Sequence, residues 1–331
     1  MKEYSSKYNK TGILIVNLGS PDYPDKKHVK KYLKQFLSDK RVIEVNRFLW
    51  SIILNGFILP IRSPKTAELY NTIWMKDKNM SPLVYYTKQQ SIKLNNLFDD
   101  SIIVDYAMRY GNPSIESKIN KMDENGATNI VILPMYPQYS STTTATVFDE
   151  VYRVISKNRW QPNIIGIKPY YHNEKYIDLL FDSISNQLEN IDFRPDVILT
   201  SFHGIPQEYF DKGDPYYCHC HKTFRLLKEK VLAELSIEVK LCFQSRFGPK
   251  KWLQPYTSDV LAECVKENKK KVMVIAPGFP SDCLETLEEI KEREKESFIK
   301  NGGEAFSFVP CLNASNAHIQ FLKKLVEQHL H

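Results

Sequence analysis

Eight short runs of aliphatic and β-branched residues recur along the chain, each separated from the next by a longer amphipathic stretch, and this alternation restricts the fold more than any other feature. Runs of this length pair as strands, and helix-length stretches between them are what parallel crossovers require. They fall at about Gly12–Leu18, Ile102–Met108, Asn129–Pro134 and Asn163–Lys168, then at Asp196–Ser201, Glu238–Gln244, Lys271–Ala276 and Ala305–Val309. The pattern predicts an α/β chain of two Rossmann-like domains, each a four-stranded parallel sheet flanked by helices. Residues 10–170 form the first expected domain, 171–311 the second, and 312–331 a closing helix. With no low-complexity linker near Pro169–Asn173, the halves are expected to pack around a shared cleft. Pro113 and Pro206 are expected in first helical turns, where a missing N–H costs nothing.

Several classes of partner are disfavoured at once. Forty-five Lys and Arg against thirty-nine Asp and Glu give a net charge of +6, dispersed without the basic runs of a nucleic-acid arm. Neither GxGxxG nor GxxxxGK[ST] occurs, which argues against a nucleotide. Six scattered cysteines in 331 residues read as reduced thiols rather than a disulfide framework. The polar start MKEYSSKYNKTG lacks the apolar region of a secretory leader, so a cytoplasmic address is expected. The apolar stretch from Arg47 to Arg62 is interrupted at Ser51, Asn55, Gly56 and Pro60. It falls short of the roughly 20 residues that span a bilayer. It reads either as a core helix or as a lip in peripheral contact with a membrane.

In open α/β sheets ligands sit beyond the carboxyl ends of the strands. There the sequence gathers polar, aromatic and turn residues, with Arg109 and Arg246 as candidate partners for carboxylates. His203, two residues past a strand end, is either a proton acceptor or metal ligand, or a histidine bonded to a nearby backbone group. Glu285, Glu289, Glu292 and Glu296 share one face at α-helical spacing. The competing account is a capping box of Asp282 with Glu285 and a Glu289–Arg293 pair. Cys218-His219-Cys220-His221 lacks the second ligand pair of a zinc site, and Asp214-Pro215 before it is placed to open a long helix.

Taken in order, GILIVNLGSP, SPKTAELY, YPQYSSTT, SFHGIP, QSRFGPKKWLQP and PSDCLETLEEI resemble the ferrochelatases, most closely the Gram-negative bacterial type, over nearly the whole chain. The resemblance implies a chelatase-like fold and a lyase that inserts Fe²⁺ into protoporphyrin IX, releasing two protons, as the last step of haem biosynthesis. It makes His203 the pyrrole base or iron ligand and Glu285 its partner across the macrocycle, so that both are catalytic and both are metal-binding. Asp282 and Glu289 continue a path for protons or metal. Leu18, Arg62, Tyr70, Ser81, Arg109, Tyr110 and Tyr139 match positions that line the porphyrin pocket or hold its propionates.

Three positions depart from the family pattern. Cys283 stands where many relatives carry histidine, and Asp77-Lys78-Asn79-Met80 stands where a glycine pair is usual. Ser141 occupies the place of a cysteine in cluster-bearing relatives, and no cysteine follows Cys311, so no iron–sulfur cluster or other cofactor is expected. The rival readings are a coproporphyrin ferrochelatase, a cobalt-inserting relative, and a non-catalytic tetrapyrrole-binding protein. The last has no use for both His203 and Glu285.

Overall fold

The computed structural model describes residues 10–330; residues 1–9, and with them most of the polar start, lie outside the described residues, as does residue 331 of the closing segment. Along the chain, β1 (Lys10–Ser20) is followed by α1 (Lys26–Leu37), α2 (Arg47–Ile53), a π-helical turn (Leu54–Ile58), α3 (Leu59–Ile73) and α4 (Pro82–Asn95). Next come β2 (Ile102–Gly111), α5 (Ile115–Glu124), β3 (Ala127–Pro134), α6 (Thr144–Ile155) and β4 (Asn163–Gly166). These strands form one parallel sheet in the order β2-β1-β3-β4.

The second sheet begins after α7 (Glu174–Glu189) with β5 (Val197–His203), α8 (Gln207–Asp211), α9 (Tyr216–Leu235) and β6 (Glu238–Gln244). There follow α10 (Thr257–Lys266), β7 (Lys271–Ile275), a long π-helix (Glu285–Glu294), α11 (Lys295–Lys300) and β8 (Ala305–Phe308). Its order is β6-β5-β7-β8, again all parallel. The final helix, α12 (Asn316–Glu327), belongs to the first unit, where Lys93 of α4 donates to the Ala314 carbonyl at 2.6 Å. Residues Pro137–Ser140 belong to the second unit, which otherwise runs Pro169–Asn313.

Both sheets have the expected strands because a parallel strand covered on both faces reads as an unbroken apolar run. Ile13, Leu14, Ile15 and Val16 of β1 are fully buried, as are Val197, Ile198 and Leu199 of β5. Near the end of β1, Gly19 takes φ +108°, and a Cβ there would lie 1.7 Å from the Tyr110 carbonyl oxygen. Only glycine therefore lets the carboxyl ends of β1 and β2 approach at this register.

Two helix starts differ from expectation. Ser114, not Pro113, caps α5, its hydroxyl accepting the Ser117 N–H at 3.2 Å, so the proline lies outside the helix. Pro206 likewise precedes the short α8 rather than sitting in its first turn. Asn79 adopts φ +50°, the left-handed conformation glycine favours and asparagine tolerates, within a turn closed by the Met75–Met80 bridge. The 47–62 stretch is helical but is not core: Leu54 and Leu59 are buried, whereas Phe48, Leu49, Ile52, Phe57 and Ile61 are exposed. No helix among the described residues is long and apolar enough to cross a membrane.

Candidate active site

His203 is the last residue of β5, paired in register with Gln244 of β6. Its Nδ1 lies 2.6 Å from the Gly204 carbonyl oxygen. A carbonyl only accepts, so Nδ1 carries the proton and the neutral ring keeps its lone pair on Nε2. The two readings of this histidine are therefore compatible: one nitrogen is held by the backbone and the other is a base or ligand. The exit turn is pinned by Gly204 N–H to the Gln244 carbonyl (2.8 Å), Leu253 N–H to Ile205 (3.0 Å) and Gln207 N–H to Lys251 (2.9 Å). A Cβ on Gly204 would lie 2.9 Å from the Gln244 carbonyl oxygen and 3.2 Å from the Trp252 ring, so glycine is what lets the two chains close.

The Trp252 and Phe279 rings stand 6.5 and 6.4 Å from the imidazole. Neither is singled out by sequence reasoning. Their signal was position, Phe279 in the strand-end segment from Pro277 to Glu285 and Trp252 within QSRFGPKKWLQP. The Trp252 indole N–H is buried with no protein hydrogen-bond partner. Gln244 was also missed: its side chain donates to the Glu285 carbonyl at 2.8 Å and accepts from the Ser201 hydroxyl at 2.8 Å. It thus ties the strand bearing His203 to the helix bearing Glu285.

That helix is π-helical over Glu285–Glu294, which corrects the acidic face. Bonds from i to i+5 add a residue to each turn. Glu285 is half-buried, Glu289 buried and Glu294 half-buried, whereas Glu292 and Glu296 are exposed. Glu288 is half-buried as well, so the less exposed carboxylates are 285, 288, 289 and 294. Glu289 accepts the Ser245 N–H at 2.8 Å and the Ser245 hydroxyl, with Ser245 held at φ +66° to present both. The anticipated pair with Arg293 is present but longer, at 3.5 Å. Burial pushes the Glu288 and Glu294 carboxyls upward, each reinforced by neighbouring carboxylates.

The reciprocal capping box does not form. The Asp282 N–H goes to Asn313 at 2.8 Å, and the Thr286 hydroxyl takes up the Cys283 N–H at 2.9 Å. Both oxygens of Asp282 are occupied, Oδ1 by the Thr286 hydroxyl and Cys311 N–H, Oδ2 by Asn313 at 2.7 Å. Cys283 is buried, and burial raises its thiol well above the ordinary value. No three His, Cys, Asp or Glu side chains among the described residues cluster as a metal-holding set. In the Cys218–His221 segment, opening α9 as expected, His219 Nδ1 accepts the Tyr139 N–H at 3.2 Å and its ring stacks on Tyr171 at 3.6 Å. Cys220 is buried.

In the first unit, Arg109 and Tyr110 share one carboxylate. Arg109 Nη2 lies 2.6 Å and the Tyr110 hydroxyl 2.9 Å from Asp39 Oδ2, while Arg109 Nε donates to the Thr146 carbonyl at 2.7 Å. Tyr110 continues an aromatic run through Phe36 and Tyr32 to Tyr70, at 5.1, 6.2 and 6.4 Å. Ser81 is buried and caps α4. Leu18 is half-buried near the end of β1, its N–H on Asn17 Oδ1. Arg62, in α3, is half-buried, and desolvation disfavours its charge. Arg246, in the second unit, lies over the Tyr256 ring at 5.0 Å.

Two four-stranded parallel sheets, with strand-end histidine and acidic π-helix in the second, define a chelatase-type α/β protein. SirB from Bacillus subtilis with Fe³⁺ shares the fold at TM-score 0.54 and 14% identity, over 97% of this chain and 98% of that one. The sirohydrochlorin chelatase SirB of subspecies spizizenii, in complex with cobalt, gives 0.55 and 13%, over 97% of each. The ferrochelatase family model matches residues 10–330. A ferrochelatase of Francisella tularensis subsp. novicida (strain U112) is 59% identical over 331 residues, 100% of this chain and 99% of the relative. The chain belongs to the ferrochelatase family.

Proposed function

We propose that the chain is a lyase that inserts Fe²⁺ into protoporphyrin IX to give protohaem and two protons, with no resident cofactor or iron–sulfur cluster. The observation that carries this reading is the Nδ1 contact of His203 with the Gly204 carbonyl, which leaves Nε2 for chemistry on an imidazole flanked by the Trp252 and Phe279 rings at a strand end. Metallation removes two pyrrole protons while a dication sheds water, so it needs a base, an anionic oxygen and a wall against the ring. His203 Nε2 takes a pyrrole proton or meets the iron, Glu285 supplies the carboxylate, and Trp252 and Phe279 supply apolar surface. Glu289 continues the route for protons or metal along the π-helix. Asp282, whose oxygens are occupied, serves that route by anchoring the helix start.

The porphyrin-lining role extends to Leu18, Tyr70 and Tyr139, while Ser81 and Tyr110, both buried, serve it by holding local structure, Ser81 as the cap of α4 and Tyr110 on Asp39. Arg62 meets a propionate, since a half-buried guanidinium gains from an anion. Arg109, its charge balanced by Asp39, offers geometry more than net charge. The exposed 47–62 lip gives a cytoplasmic protein peripheral contact with a membrane, where a poorly soluble porphyrin partitions. The test is anaerobic: purified chain with Fe²⁺ and either protoporphyrin or coproporphyrin, followed by absorbance. Faster metallation of protoporphyrin is expected. A coproporphyrin preference would reassign the substrate, and porphyrin binding without turnover would make the chain a carrier.

A further inference from the structure

Two exposed features of the first unit take no part in the metallation chemistry. Lys26, Lys27, Lys30, Lys31 and Lys34 of α1 are all exposed, while Val29, Tyr32, Leu33 and Leu37 turn inward. At 3.6 residues per turn the five ammonium groups fall within one face about 140° wide. α1 contains no acidic residue, and no salt bridge joins the five lysines to another described residue. Lys40 and Arg47, just beyond, are exposed as well. The second feature is apolar. Phe48 is 79% exposed, Leu49 57%, Ile52 52%, Phe57 64% and Ile61 59%.

The two are fastened together. The Trp50 indole donates to the Leu37 carbonyl at 2.7 Å, and the Arg47 guanidinium donates to the Ser38 carbonyl. α2 thus starts against the last turn of α1, and the exposed Phe48 and Leu49 lie between the two residues that make those bonds. A lysine face alone is an ordinary solvated surface, and a single apolar anchor gives only marginal membrane affinity. A cationic face joined to exposed rings and aliphatic chains matches one kind of surface, negative headgroups over an apolar interior.

We propose that the lysine face of α1 and the exposed side chains of 48–61 form one docking surface for an anionic lipid bilayer. The lysines meet headgroup phosphates, and Phe48, Leu49, Ile52 and Phe57 enter the acyl boundary. The proposal rests on the peripheral-contact reading above and adds to it a preference for negatively charged lipid. Contact through 47–62 alone would be nearly indifferent to salt, whereas the lysine contribution weakens as the Debye length shrinks from about 8 Å at physiological ionic strength to about 3 Å at 1 M.

The test sediments the full chain with vesicles of phosphatidylcholine alone, or mixed with phosphatidylglycerol, over a range of salt. The wild type is expected to pellet with the phosphatidylglycerol vesicles and to be released by salt. Combined Lys27→Gln, Lys30→Gln, Lys31→Gln and Lys34→Gln should weaken that binding by up to roughly a thousandfold. Thermal melting and metallation of a water-soluble porphyrin should be unchanged. Equal, salt-insensitive pelleting of wild type and variant with both vesicles would overturn the lysine assignment while leaving the lip reading standing. A wild type that ignores both vesicles would overturn both and turn attention to an acidic protein partner. Should the variant unfold, the lipid and salt dependence of the wild type decides.

Discussion

The imidazole Nδ1 of His203 lies 2.6 Å from the carbonyl oxygen of its own neighbour, Gly204, and this contact decides which nitrogen is available for chemistry. The carbonyl is turned by the exit bend, whose Gly204 N–H is held by Gln244. Backbone geometry common to strand ends here fixes a tautomer, as second-partner bonds do for metal-bound imidazoles.

The tautomer is directly measurable. Nitrogen-15 NMR of the neutral His203 ring should show the proton on Nδ1. A ring protonated on Nε2 would remove the base from the site and contradict the assignment.

Glu285 and Asp282 should separate cleanly on mutation. The Glu285 backbone carbonyl, not its carboxylate, receives the Gln244 bond, so Glu285→Gln should lose turnover with little change in melting temperature. Asp282→Asn instead places an NH₂ among the donors of Asn313, Thr286 and Cys311 and should destabilise by about 2–4 kcal/mol. Thermal melts and steady-state assays of both variants check this. A Glu285→Gln protein that melts early but turns over normally would favour a structural role.

Glu294 gives a pH dependence of stability. Burial raises its carboxyl above the ordinary value, so the folded chain binds that proton more tightly than the unfolded one. Its contribution is full below the unfolded value and is lost as pH rises through the folded one. Glu294→Gln should therefore raise the melting temperature at about pH 7, with the gain vanishing near pH 4. An equal gain at both would show that charge is not the cause.

Arg62→Ala should raise the porphyrin KM more than it lowers kcat, as for a group that holds a propionate in ground and transition states alike. An unchanged KM would place Arg62 outside the porphyrin site.

The strands were legible because burial on both faces leaves runs such as Ile13–Val16 without alternation. His203 was legible from its place at a strand end and from the motif around it. The π-helix was not, because apolar and acidic spacing was counted at α-helical period and nothing local reports bonds from i to i+5. That is why Glu292 and Glu296 entered the predicted stripe and Glu294 did not. The Asp39–Arg109 pair was equally invisible, since its members lie 70 residues apart and meet only in the fold.

The central claim, that His203 is the group through which this chain metallates porphyrin, is tested most directly in a single turnover. Porphyrin-loaded wild type and His203→Ala protein would be mixed anaerobically with Fe²⁺ and followed by absorbance. The wild type should convert to protohaem, and the variant should retain bound, metal-free porphyrin with a rate reduced about a hundredfold or more. A variant that metallates within tenfold of the wild-type rate would contradict the account.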